Sequence, residues 1–186
     1  MSSTVSSHRL ALGQATLVQL TAVIERELPA TSAGLLREIG FAAGEALYQG
    51  FGSSVRARYG VETPQALDVR YLEEALGGFF RDEGWGSVTA THLADGLFGL
   101  DSADWTEAEP KGAEMPCCHF SSGMLSDFFT RLGGYPAAVM EVECRSRGDA
   151  RCRFFVGSPD LLTWVYEGLT EGRSADALVE ELTPTR

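Results

Sequence analysis

The sequence has little positive charge for its size, and Lys111 is its one lysine among 186 residues. Lysine and arginine number 15 against 26 acidic residues, which gives a formal net charge of -11 at pH 7. Because this charge repels phosphate groups, we expect neither direct nucleic-acid binding nor attachment to an anionic membrane surface. The shortage of lysine also leaves little scope for a lysine Schiff base or a lysine phosphate cradle.

Several motifs of other protein classes are missing. No apolar run reaches the roughly 18–20 residues that cross a bilayer, so we expect no membrane span. The first residues, MSSTVSSHRLALGQ, lack the basic start and apolar core of a secretion signal, so we expect a cytoplasmic protein. A nucleotide-binding glycine loop and a nucleophile with a paired base are also absent. Enzymatic activity therefore stays uncertain, and the sequence leans against it.

The composition is that of a folded domain, with 44% hydrophobic and 22% charged residues. The length suits a single domain over residues 1–186. Within it we distinguish a mainly helical part at 1–86, an α+β core at 87–157 and C-terminal helices at 158–186.

Hydrophobic periodicity separates helices from strands. It predicts helices at 9–29, 31–59, 64–83, 120–132, 158–172 and 174–182. Alternating and β-branched stretches predict strands at 87–92, 97–105, 136–144 and 151–157. Residues 106–116 read as a polar loop. Strands that come as hairpins among more numerous helices indicate an α+β fold with an antiparallel sheet of about four strands.

Two glycines lie one helical turn apart in the second predicted helix, at Gly40 and Gly44. We interpret them as a place of close helix packing, because glycine lets two helix backbones approach. The pair Asp95-Gly96 indicates a hairpin turn between the first two predicted strands.

The stretch that carries chemistry holds cysteines and a glutamate. Cys118 lies just before a predicted helix, whose N-terminus stabilises a thiolate, the metal-binding form of cysteine. Glu141 and Cys144 are separated by two residues, and their side chains turn to one point if the strand bends or stops near Glu143. A hairpin would then return Cys152 beside Cys144.

Three sulfur atoms and one carboxylate would complete a tetrahedral shell, and soft sulfur ligands favour zinc. With no open position, such a zinc ion is structural. Arginines of the same hairpin could offset the negative charge: Arg145, Arg147, Arg151 and Arg153. The alternative is that Cys144 and Cys152 are small buried residues of strands and that Glu141 faces solvent.

Aromatic residues are concentrated between the third and fourth predicted helices. They are Tyr71, Phe79, Phe80, Trp85, Phe98, Trp105, Phe120, Phe128 and Phe129. One interpretation is a hydrophobic core, and the other is that some of them line an apolar ligand pocket. We interpret His119 as a helix-start residue that faces away from the cysteines, and His92 as structural.

The cysteine-rich stretch resembles the 4-vinyl-reductase domain family. The resemblance rests on Pro116-Cys-Cys-His-Phe-x-x-Gly123, Val142-Glu-Cys144 and Gly148-Asp149-x-x-Cys152-x-Phe154. The same domain resembles the sensory module of phenol- and xylene-responsive transcription activators, and its fold is shared with subunits of the TRAPP tethering complex. The match covers about residues 88–157 and is weaker in the helices before them.

The resemblance implies a TRAPP-like ligand-binding fold, a homodimer, and structural zinc held by Cys118, Glu141, Cys144 and Cys152. Cys117 falls outside the ligand pattern. It also implies a small hydrophobic or aromatic ligand, whose pocket would be lined by Tyr71, Phe79, Phe80, Trp85, Phe98, Trp105, Phe120 and Phe128. Three functions follow as hypotheses: a ligand-binding sensory module, a dimeric scaffold or assembly subunit, and an accessory or reductase-like protein of (bacterio)chlorophyll or tetrapyrrole metabolism.

Overall fold

The computed structural model describes residues 12–109 and 112–183. Its helices are α1 (Gln14–Glu27), α2 (Ser32–Tyr59), α3 (Leu72–Asp82), α4 (His119–Gly133), α5 (Pro159–Thr170) and α6 (Ala175–Leu182). Its strands are β1 (Thr89–Ala94), β2 (Leu97–Ser102), β3 (Ala138–Glu143) and β4 (Cys152–Gly157). Lys111 and the first residues of the helix predicted at 9–29 lie outside the described residues. No helix in the described ranges is long and apolar enough to cross a bilayer.

The four strands form one antiparallel sheet in the order β1-β2-β4-β3. Strand β4 is buried at every position, because helices cover both faces of the sheet. Successive strand residues face opposite sides, so Phe154 and Val156 join the core cluster that contains α4, and Phe155 joins the cluster that contains α5 and α6. The predicted α+β fold with a four-stranded antiparallel sheet is confirmed.

Helices α2 and α4 cross at very short distance because glycine occupies the contact points. A Cβ atom on Gly40 would lie 2.0 Å from the Phe120 carbonyl oxygen. A Cβ atom on Gly123 would lie 2.0 Å from the Arg37 carbonyl oxygen. The close packing predicted from Gly40 is confirmed, and this contact fixes the position of α4, which follows directly on one candidate metal ligand.

The segment before α3 differs from the prediction. The helix predicted to begin at residue 64 begins at Leu72, and two short 3-10 turns, Pro64–Ala66 and Val69–Tyr71, precede it. The Asp68 carboxylate accepts a hydrogen bond from the Arg70 backbone N–H at 2.9 Å. Such local side-chain bonds compete with a continuous helix. The helix-like spacing of apolar residues therefore extends to positions before the true start of α3.

The first hairpin is confirmed with shifted bounds. Strand β1 begins two residues later than predicted, and β2 ends at Ser102 instead of residue 105. Gly96 has a φ of 74°, the left-handed conformation that the predicted Asp-Gly turn requires. Because β2 ends early, Trp105 leaves the sheet and enters the core, where it is 2% exposed.

Candidate metal centre and apolar cavity

The four candidate metal ligands meet at one buried point. One ligand atom from each of Cys118, Glu141, Cys144 and Cys152 lies within 4.8 Å of all the others. The sulfur atoms of Cys118 and Cys144 are 3.9 Å apart. A tetrahedral zinc ion with zinc–sulfur bonds of about 2.3 Å would set this separation at roughly 3.8 Å. The arrangement therefore has the dimensions of a four-ligand zinc site.

A bend at the end of β3 aims Glu141 and Cys144 at the same point. The register with β4 shifts between Glu141 and Glu143, where an extra residue is accommodated. The chain then turns at Gly148, whose φ is 106°, and the Cys144 backbone N–H donates to Asp149 at 2.7 Å. The bend near Glu143 that the sequence required is confirmed.

The Glu141 carboxylate has one satisfied and one unsatisfied oxygen. Its Oε2 accepts a hydrogen bond from the Cys118 backbone N–H at 2.8 Å. Its Oε1 is buried and has no hydrogen-bond partner in the described part of the chain. An unpaired buried carboxylate oxygen is costly, and a bound cation would satisfy it. Burial raises the pKa of Glu141 to about 8.

Hydrogen bonds among the cysteine thiols shift their pKa values in opposite directions. The pKa of Cys118 is raised, first by the hydrogen bond between its thiol and Cys144 and further by burial. The pKa of Cys144 is lowered, first by a hydrogen bond from the Cys117 thiol and then by one from Cys118. If all four groups were ionised, their charges would repel one another strongly at this distance unless a cation were bound. The donor set, three sulfurs and one carboxylate oxygen, fits a soft divalent ion such as zinc.

The hairpin arginines pair mainly with carboxylates other than Glu141. The pairs are Arg147 with Asp149 at 2.7 Å, Arg151 with Glu143 at 3.0 Å, and Arg153 with Asp176 at 2.7 Å. Their charge is therefore largely offset by these neighbours.

Most residues of the predicted aromatic pocket pack against one another. Phe79, Phe80, Trp105 and Phe128 are at most 2% exposed. The Phe80 ring centroid lies 5.7 Å from that of Phe128 and 5.8 Å from that of Trp105. These rings fill the space between the helices and the sheet, as the core interpretation of the sequence requires.

The remaining members of the aromatic set lie in three places. Trp85 is stacked between Trp105 and Phe120, at centroid distances of 5.6 and 6.1 Å. Tyr71 is 46% exposed and contacts Tyr59. Phe98 lies 6.3 Å from Phe129, and these two rings border open space.

That space is an apolar cavity of about 420 Å³. It lies between the 64–72 segment, the end of α4 and the sheet. Besides Phe98 and Phe129, its apolar wall includes Pro64, Leu67, Val69, Leu72, Leu97, Leu132, Ala137 and Val156. The sequence prediction missed these aliphatic residues because aliphatic side chains that line a cavity have the same pattern as those that fill a core.

Three polar side chains border the cavity: Gln65, His92 and Tyr135. The Gln65 amide donates to the Tyr48 hydroxyl at 2.8 Å and to the Arg131 carbonyl at 3.0 Å, so its hydrogens are engaged. His92 is exposed and lies directly across the hairpin from Phe98, which places both side chains on the same face of the sheet. His92 is therefore a polar side chain at the border of an otherwise apolar cavity.

The model of the 4-vinyl-reductase domain matches residues 104–158, the stretch that contains all four candidate ligands. Comparison with curated proteins gives no match. Three solved structures are similar to this chain, each at less than 20% identity, and the likeness to the two with TM-scores above 0.5 concerns the fold alone.

One such structure is the phenol-responsive sensory domain of the transcription activator PoxR with phenol. It has a TM-score of 0.60 and 19% identity, and the alignment covers 95% of this chain and 85% of that chain. A trafficking protein particle complex subunit 3 from Naegleria fowleri, covalently bound to palmitic acid, has a TM-score of 0.54 and 11% identity, over 78% and 96% of the two chains. A vinyl-4-reductase family protein from Methanocaldococcus jannaschii has a TM-score of 0.41 and 18% identity, over 81% and 96%.

The resemblance stated from the sequence is thus confirmed by two independent comparisons. The family match rests on the cysteine-rich stretch, and the structural match extends over nearly the whole chain. The chain carries a 4-vinyl-reductase domain match at residues 104–158 and has the fold shared by the PoxR sensory domain and the trafficking protein particle complex subunit.

Proposed function

We propose that this chain is a zinc-stabilised sensory domain that binds a small apolar or aromatic molecule. The observation that carries the proposal is the apolar cavity of about 420 Å³ beside Phe98 and Phe129. One protein with the same fold is named for its response to phenol and was solved with phenol. Another was solved with palmitic acid attached. Both names support an apolar ligand for this fold.

The dimensions and chemistry of the cavity suit such a ligand. Small-molecule sites commonly measure about 300–1,000 Å³ and have mainly apolar walls with a few polar groups. Burial of ligand surface against these walls is favourable by about 25 cal/mol per Å², before the cost of association. His92 could orient a ligand hydroxyl or carboxyl group, because it borders the cavity opposite Phe98 on the same sheet face.

The proposed zinc ligands are Cys118, Glu141, Cys144 and Cys152. A zinc ion with these four ligands has no open position, so it would cross-link the chain and take no part in chemistry. Reduced thiols are needed for this binding, which agrees with the cytoplasmic location expected from the sequence. Binding without chemical conversion of the ligand is the proposed activity.

Zinc and ligand would act at separate places. Cys118 precedes α4 and Phe129 lies near its end, and the helical rise puts about 16 Å between them. The proposed zinc ion therefore does not touch the ligand. It would hold the β3–β4 hairpin and the start of α4 in place, and the same two elements continue to the cavity.

A ligand screen tests the proposal. Thermal-shift measurements with phenols, indoles, fatty acids and tetrapyrroles identify compounds that stabilise the protein, and calorimetry measures their affinity. We expect hits among apolar or phenolic compounds, with weaker binding after zinc removal. The absence of hits in every class would contradict the sensory function. Chemical conversion of a hit would contradict binding without chemistry.

We also propose a homodimer. Large apolar side chains of α1 and α2 and of the turn between them are exposed, including Leu20 at 40%, Leu28 at 49%, Ile39 at 43% and Phe41 at 49%. A second copy of the chain would cover them. Sedimentation at micromolar concentration should show twice the 20.1 kDa chain mass. A species of chain mass alone would contradict the dimer, and a dimer without any ligand would favour the scaffold alternative.

A further inference from the structure

The polar loop before α4 contains a buried carboxylate. Glu107 is 8% exposed. Its oxygens accept hydrogen bonds from the backbone N–H groups of Phe120 at 3.1 Å and of Ser121 at 2.7 Å. It also accepts a short hydrogen bond from the Ser121 hydroxyl. A carboxylate that satisfies the free N–H groups of a first helical turn stabilises that turn, because it also interacts favourably with the helix dipole.

A second contact ties this turn to the sheet. The Trp105 indole N–H donates to the Ser121 hydroxyl at 2.8 Å, and both residues are buried. The Trp105 ring lies 5.4 Å from that of Phe154 in β4. Phe154 is two residues from Cys152, one of the candidate metal ligands. The network thus joins the first turn of α4 to the strand that supplies another ligand.

The same loop also contacts the β3–β4 connection. The Glu109 backbone N–H donates to the Ser146 hydroxyl at 3.1 Å, and the Ala113 N–H donates to the Ser146 carbonyl at 2.9 Å. Ser146 is 1% exposed and lies two residues after Cys144. The loop is therefore attached both to the segment that carries Cys118 and to the segment that carries Cys144.

We infer that Glu107 is a positioning residue for the proposed zinc site, an inference that rests on the zinc binding proposed above. Cys118 is the residue immediately before α4, and its carbonyl accepts from the Ser122 N–H at 3.0 Å. The location of its sulfur therefore follows the location of the first turn. Glu107 accepts hydrogen bonds from that turn, and Glu141 accepts one from the Cys118 backbone N–H. Glu107 sets the geometry without contacting the metal.

Two substitutions in the same loop test this role. Glu107→Gln keeps the size of the side chain but replaces one accepting oxygen by a donor that faces N–H groups. Glu109→Gln is the matched control, because it removes the same charge from an exposed side chain of the same loop. Zinc affinity is measured by competition with a chromophoric chelator. Outer-shell changes typically weaken metal binding by about 10–100-fold, and we expect a loss of at least about tenfold for Glu107→Gln and none for Glu109→Gln.

The absorption spectrum of the cobalt-substituted protein separates positioning from general stability. We expect the cobalt bands to shift in Glu107→Gln and to stay unchanged in Glu109→Gln, since they report ligand geometry. Ser121→Ala, which removes one hydroxyl, serves if Glu107→Gln fails to fold, and it should weaken zinc binding less. If these variants and the unchanged protein have equal zinc affinities and equal cobalt spectra, the positioning role of Glu107 is refuted and the proposed zinc site is not. Failure of the unchanged protein to bind zinc would overturn the metal site as well.

Discussion

The two ends of α4 differ in how their side chains use space. At its start, Cys118 lies with three other candidate metal ligands, and their ligand atoms are within 4.8 Å of one another. At its end, Phe129 and Leu132 stop short of the opposite wall and leave a cavity of about 420 Å³. A metal site needs specific atoms at one point, whereas a cavity needs only that no side chain fills it. The first condition restricts residue identity far more than the second.

Strand β4 shows the same contrast over a shorter distance. Cys152 begins the strand in the ligand cluster, and Val156 lies beside the cavity. Four residues of extended chain separate them by about 13 Å. Because α4 and β4 both run from the candidate metal site to the cavity, a disturbance of that site has two rigid elements through which it could affect ligand binding.

Loss of a metal ligand should have the largest effect. Cys144→Ser removes a buried candidate ligand, whereas Cys117→Ser changes a partly exposed thiol outside the candidate ligand set. Structural zinc contributes on the order of 10 kcal/mol in zinc-finger peptides, so we expect Cys144→Ser to lose zinc and several kcal/mol of unfolding free energy. Elemental analysis and denaturant unfolding measure the two quantities. Equal losses in both variants would mean that the wrong thiol is assigned to the metal.

Disturbance in the middle of α4 should have the next largest effect. A Cβ atom in Gly123→Ala would lie 2.0 Å from the Arg37 carbonyl oxygen, so the helices must separate. Overpacking costs about 1–3 kcal/mol and occasionally more. Gly34→Ala is the control, because its Cβ meets nothing within 4 Å in α2 and alanine favours a helix. Unfolding curves should show Gly123→Ala destabilised and Gly34→Ala unchanged or more stable, and the opposite order would refute the packing argument.

A substitution that fills the cavity should separate the two sites. Ala137→Phe places a ring in the cavity wall, so we expect ligand binding to be lost while zinc content stays at one ion per chain. The change in unfolding free energy should stay within about 1.5 kcal/mol, since the added ring enters existing space. Calorimetry with a hit from the screen measures binding. Ala46→Phe adds the same ring at an exposed position of α2 and should bind normally. Retained affinity in Ala137→Phe would place the ligand elsewhere.

The smallest effect is expected at the polar border of the cavity. His92 is exposed, so His92→Ala should leave stability unchanged. A hydrogen bond contributes about 0.5–1.5 kcal/mol, so affinity for a phenol should fall by about 2- to 13-fold. Affinity for the matching hydrocarbon without the hydroxyl group should not change. A parallel loss for both compounds would show that His92 acts through packing instead.

The sequence was most informative where chemistry restricts residue identity. The ligand spacing of Cys118, Glu141, Cys144 and Cys152 predicted side chains that the fold brings together, and the turn at Gly96 followed from its dipeptide. The start of α3 was misplaced because the apolar spacing of residues 64–71 resembles a helix, while the Asp68 side chain bonds to the backbone locally. Local pattern does not report which of these alternatives has lower free energy.

Prediction of the candidate metal site and prediction of the cavity required different kinds of information. Convergence of the four candidate ligands was proposed from the sequence because their spacing allowed it and the family resemblance implied it, while the spacing alone was also compatible with small buried cysteines in strands. The relative placement of α4, the 64–72 segment and the sheet determines which aromatic residues pack in the core and which face a cavity. The sequence does not contain this placement in a local pattern. Glu107 also looked like an ordinary loop residue, because its role arises from two N–H groups that come near it only when α4 docks. Hydrophobic burial is non-directional, so the space left between packed elements is a property of their three-dimensional arrangement.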